Sequence, residues 1–151
     1  MGIADWSTDW AWGLPLIVLT VLIHVLGLAV IGKRAVRASN HTIRSLNPTT
    51  LIVVILGPTT LLVTILHGIE AFIWATAYRV LGALPDYKYA ILYSLNAITS
   101  YGHVNLDLED HWHLMGAIEA LNGWLLFGLT TAFLFAMTQK LLLSVGWLER
   151  A

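Results

Sequence analysis

Between Tyr93 and His103 the chain reads Tyr-Ser-Leu-Asn-Ala-Ile-Thr-Ser-Tyr-Gly-His, a polar cluster in a sequence that is 58% hydrophobic and 11% charged. Carbonyl and hydroxyl oxygens held at membrane depth can replace the hydration shell of a cation. A short helix leading into them would point the partial negative charge of its C-terminus at the same ion. A second constellation is ionisable. His24 and Glu119 fall within apolar runs, and His67 and Glu70 share a helix face at a spacing of three. Polar groups at membrane depth are costly and face a partner or a watery cavity. The chemistry open to them is a proton relay, a metal site or haem ligation, against a plainer role for Glu70, Glu119 and Arg79 in buried pairing or hydrogen bonding. His24 and His67 lie roughly 15 and 10 Å from the outer ends of their spans at about 1.5 Å per residue, a fair match in depth for a haem pair. No Gly-rich face marks a porphyrin pocket, and the Glu-x-x-His companion of a carboxylate-bundle metal site is missing.

The elements that must position these groups follow from the hydropathy. The 151 residues have a mean hydropathy of +0.75, and a soluble domain carries about twice as many charged residues. This composition is that of a membrane protein. Net charge is -1, so no basic face serves nucleic acid. The absence of cysteine excludes thiolate catalysis, thiolate zinc sites and Fe–S clusters. Three apolar stretches, 14–31, 51–74 and 115–143, are long enough to span a bilayer, which takes about 20 residues. A fourth uncharged run fails as a span because Thr99, Ser100, Tyr101, Gly102, His103 and Asn105 interrupt it. Irregular backbone at membrane depth must be buried in protein or line a cavity, so residues 87–105 read as a re-entrant loop.

Lys33, Arg34, Arg37 and Arg44 lie without an acid in the loop between the first two spans. The positive-inside rule then puts that loop and the C-terminus in the cytoplasm and the N-terminus outside. These cations read as topological charge and not as a voltage sensor. The N-terminus has no basic n-region, so the first span is expected to be retained. Trp10, Trp12, Trp74, Trp112 and Trp147 read as interfacial anchors. Pro15 suits a first helical turn and Pro58 a kink. His111 and His113, with Glu109 and Asp110, read as a solvated external cluster beyond the loop.

The segment resembles the tetrameric potassium-channel superfamily, whose pattern is a pore helix, a TTVGYGD-like filter and an inner helix. Tyr101-Gly102 stands at its Tyr-Gly, His103 at its Asp, and Ser94 to Ile98 at the end of its pore helix. Gly123 lies near its hinge glycine, on a helix whose Gly116, Ala120 and Gly128 permit close packing. The resemblance covers about a third of the chain, roughly 87–140. Ser100 replaces the first filter glycine, Thr99 the valine and Ala97-Ile98 the two threonines; a second alignment takes Thr99 as the family threonine and shortens the filter by one residue. Family filters alternate backbone handedness, which strains a non-glycine residue by about 1–2 kcal/mol.

The expectation is therefore an all-α membrane protein with three transmembrane helices, one re-entrant pore helix and a filter loop per chain, in one domain. The resemblance implies a homotetramer around a central pore in a plasma or inner membrane. It implies passive transport of monovalent cations such as potassium, with no enzymatic activity and no resident cofactor. Thr99, Ser100, Tyr101, Gly102 and His103 would form the filter, and Asn122 and Gly123 the inner cavity or hinge. The alternative is a haem- or metal-binding redox subunit using His24, His67 and Glu70.

Overall fold

The computed structural model describes residues 3–42, 47–102, 108 and 112–144. It is all-α, with α1 (Ile3–Thr42), α2 (Pro48–Val80), α3 (Tyr87–Ile98) and α4 (His113–Ser144) in chain order. Helices α1, α2 and α4 are long and apolar enough to cross a membrane. Their most apolar windows are only 22%, 28% and 28% buried within the chain. Apolar faces of that extent need lipid to cover them, so the protein is membrane-embedded.

The helices run past the expected spans at both ends. Lys33, Arg34 and Arg37 consequently belong to the C-terminal part of α1 and not to a loop, and Pro15 lies well inside α1 and not in its first turn. Helix α2 continues through Pro58. At its start the Asn47 side chain accepts the Thr50 N–H at 2.9 Å, and Pro48 occupies the first helical position, where no amide donor is needed.

Helix α2 ends in a Schellman turn, in which the N–H of Gly82 bonds to the Arg79 carbonyl at 3.2 Å and that of Ala83 to Tyr78 at 2.9 Å. Gly82 supplies the left-handed residue, at φ 72°. Arg79 then donates to the Leu84 carbonyl at 2.5 Å and lies 5.5 Å from the centre of the Tyr87 ring. Asp86 caps α3 by accepting from the Tyr89 N–H. This short, well-bonded connection turns the chain straight from α2 into α3.

The chain forms two compact units, one of residues 1–24 and 67–127, the other of residues 25–66 and 128–151. In the first, Trp74, Tyr78, Ala90, Tyr93, Met115 and Ile118 belong to one core. In the second, Ala35, Leu51, Ile55, Met137 and Leu141 do, and the absence of a side chain at Gly27 admits Leu66, whose Cδ2 would lie 2.6 Å from a β-carbon there.

Two of the expected anchors are core residues. Trp74 is 0% and Trp112 7% exposed, while Trp10 and Trp12 remain open at 40% and 48%; Trp147 lies outside the described residues. The reason is that α2 continues to Val80, which places Trp74 inside the packed part of the helix. Trp74→Ala is expected to cost about 3–5 kcal/mol of stability and Trp10→Ala no more than about 0.5 kcal/mol, measured by unfolding in mixed micelles. Equal small losses would return Trp74 to an interfacial role.

Candidate functional site

Helix α3 buries Ala90, Tyr93, Ser94, Ala97 and Ile98, the spacing of one helical stripe. Two glycines of α4 admit that stripe. A β-carbon at Gly116 would collide with the Tyr93 hydroxyl, and one at Gly123 with the carbonyl of Ile98. Ile98 also packs in a cluster with Ala71 and Leu126. Gly123 is about 15 Å along α4 from its start and Ala71 about 13 Å from the end of α2, at about 1.5 Å per residue. Helix α3 therefore ends against the interior turns of both long helices.

A buried carboxyl group fixes it there. Tyr78 donates to Glu119 Oε2 at 2.7 Å, Ser94 Oγ contacts Glu119 Oε1, and Ser94 donates to the Ala71 carbonyl at 2.7 Å. A serine hydroxyl has one proton. With that proton on the Ala71 carbonyl, the contact to Glu119 is a hydrogen bond when the acid carries a proton and donates to Ser94 Oγ. The Glu119 carboxyl group thus links α4 to α2 and α3, with a hydroxyl partner on each oxygen. Tyr93 meets Tyr78 edge-on, ring centres 5.3 Å apart, and closes the network with apolar contact.

The turn after α3 has the same hydrogen bonds as the end of α2. The N–H of Ser100 bonds to Ala97 and that of Tyr101 to Asn96, both at 2.9 Å, the two bonds of a Schellman turn. Ser100 stands where α2 has Gly82, at φ 54°. The backbone here is a helix cap, with Thr99 right-handed and Ser100 and Gly102 at positive φ. The positive φ of Ser100 belongs to this cap. Trp124 Nε1 donates to Ser100 Oγ at 3.0 Å, and Thr99 Oγ1 to the Leu95 carbonyl at 2.6 Å. Hollows of about 280 Å³ and 180 Å³ flank the turn. Tyr101 is 83% exposed. His103, the remaining residue assigned to the filter, lies outside the described residues, as do Asn105, Glu109, Asp110 and His111.

The second constellation converges in the same unit. Glu70 Oε1 lies 2.8 Å from His24 Nδ1 and Oε2 lies 3.3 Å from His67 Nδ1. His24 and Glu70 are fully buried. One potential ligand atom from each of the three residues lies within 4.8 Å of the others. The two imidazole centroids are only 5.0 Å apart and tilted by 45°, which leaves no room for a haem macrocycle between them. A small cation or a carboxylate bridge fits; His67 further stacks on Phe127.

Asn122 is buried and donates to Thr20 Oγ1 at 2.9 Å, so within one chain it joins α4 to α1. Gly123 serves as the seat of the Ile98 carbonyl. Sequence reasoning brought His24, His67 and Glu70 into one group but missed Tyr78, Ser94 and Thr20 as partners. Tyr78 had a signal, since Glu70, Trp74 and Tyr78 repeat at four-residue spacing along α2. The pairing of Thr20 with Asn122 had none, because it joins residues 102 positions apart.

Comparison with known proteins finds no matching family, curated protein or solved structure.

Glu119→Gln is expected to keep stability within about 1 kcal/mol, because an amide can donate to Ser94 and accept from Tyr78. Glu119→Leu should lose about 1–3 kcal/mol by stranding those hydroxyls; unfolding in mixed micelles compares the two, and an equal loss would refute the neutral-acid arrangement. Ser100→Gly and Ser100→Ala both remove the Trp124 acceptor. The glycine variant should be the more stable by about 1 kcal/mol if the left-handed backbone at Ser100 is strained.

Proposed function

We propose that the protein is a passive transporter of monovalent cations, potassium first, related in plan to the tetrameric potassium-channel superfamily but with an altered filter. The observation that carries this function is the seat of α3. Its C-terminal carbonyl at Ile98 meets Gly123 about 15 Å along α4.

In this function α3 is a re-entrant pore helix whose negative end faces the ion. Oxygens of Thr99, Ser100, Tyr101 and Gly102 line the path, with His103 at its outer mouth. One loop cannot enclose a pore, so four chains assemble around the axis. The small residues Gly116, Ala117 and Ala120 around the hollow beside α3 suit close packing of helices. Asn122 and Gly123 support the inner end. The N-terminus lies outside and the C-terminus in the cytoplasm, as the cationic end of α1 directs.

Purified protein in potassium-loaded proteoliposomes is expected to release the ion down its gradient, and Tyr101→Ala to change the rate or the ion ranking. Ser100→Gly is expected to sharpen preference for potassium over sodium. No flux of any monovalent cation across a range of pH would overturn the transport function.

A second reading is favoured by the convergence of His24, His67 and Glu70, a donor set that suits a divalent transition-metal ion. A zinc ion, with bonds of about 2.0–2.2 Å, would draw the three ligands closer together. Metal analysis of protein purified without chelator discriminates. Stoichiometric metal that is lost in His67→Ala supports a metal-binding subunit, and its absence after zinc loading removes this reading.

A further inference from the structure

The second unit carries a feature that neither the filter segment nor the histidine group uses. A groove of about 520 Å³ opens between α1 and α4, within the size range of small-ligand sites. Leu28, Gly32 and Phe133 line it together with Lys33, Arg37 and Lys140. Gly32 creates room on the α1 side, since a β-carbon there would lie 3.1 Å from the Phe133 ring. Lys33 and Arg37 are four residues apart on one helix face, and all three cations are exposed.

The charge around this groove is one-sided. Six of the eight Lys and Arg residues belong to this unit, and its sequence contains one acid, Glu149, outside the described residues. No ion pair of Lys33, Arg37 or Lys140 is present among the described residues. A trough lined by apolar side chains and three cations is complementary to a molecule with an acyl chain and an anionic head. Basic pockets between transmembrane helices recognise lipid headgroups in this way, and long cationic side chains reach toward the headgroup layer from positions within a span.

We propose that this groove is a binding site for an anionic phospholipid. The phosphate sits among Lys33, Arg37 and Lys140, and an acyl chain lies along Leu28, Gly32 and Phe133. Arg34 provides the internal control. It carries the same charge one residue from Lys33 but lines a different hollow, with Val54, Pro58 and Leu62. Diffuse attraction to an anionic membrane would use Arg34 equally; a built site would not.

The test is retention of phosphatidylglycerol or cardiolipin by the full chain, released from mixed vesicles with phosphatidylcholine and read by native mass spectrometry. Anionic lipid should be retained in preference to phosphatidylcholine. Each of Lys33→Ala, Arg37→Ala and Lys140→Ala should weaken retention about fivefold, and Arg34→Ala by less than about twofold. The charge-preserving variants Lys33→Arg and Lys140→Arg should retain the lipid, which separates loss of the site from a change in topology or fold. Equal retention of phosphatidylcholine would overturn the proposal, as would an equal effect of Arg34→Ala. Full displacement by glycerol phosphate would also overturn it, because the site would then be one for a free anion and not for a lipid.

Discussion

Everything in the first unit depends on placing the end of a short helix among apolar helices without stranding its polar groups. Hydrocarbon offers no hydrogen bonds, so each buried donor and acceptor must find its partner in protein. Glu119 meets that demand for α3. It contacts Tyr78 on one side and Ser94 on the other, and Ser94 donates a hydrogen bond to the Ala71 carbonyl. As a neutral acid the group would join three helices without placing a net charge in the interior. An ionised carboxylate there would demand a cationic neighbour, and Arg79 is engaged instead with the Leu84 carbonyl and the Tyr87 ring.

Glu119 and Glu70, two of the buried carboxyl groups of this unit, show how environment divides one chemistry into two. Glu119 is surrounded by hydroxyl partners, which can satisfy an uncharged acid. Glu70 lies between two imidazoles, which can match a carboxylate with donors on both oxygens or offer lone pairs to a metal alongside it. The same side chain therefore suits a structural latch in one place and a bridge capable of holding a cation in the other. Thr20 and Asn122 add a third, uncharged link between helices.

Much of the architecture was legible because hydropathy acts over whole turns of helix. The three long helices, the short helix ending at Ile98 and the polar interruption after it all follow from runs and breaks in apolar residues. Helix ends were less legible: the residues around Trp10 and Lys33 are too polar for a span yet continue α1 as helix. Trp74 misled for a related reason, since tryptophan suits both an interface and a core and only its neighbours decide. At the site, the spacing of His67 and Glu70 revealed a shared face, and His24 was joined to them by depth. The glycines of α4 were legible as small but not as seats, because what occupies the space beside a missing side chain is a property of the fold.

The contact between Gly123 and the Ile98 carbonyl has a mechanical consequence. Two backbones touch there, with no rotatable side chain between them to absorb a change in spacing. A bend of α4 at that glycine would be transmitted as displacement of the end of α3 and would reach the turn at Ser100, which already holds a non-glycine residue in a left-handed conformation. At such a joint a small tilt of one rod would be felt at the tip of the other.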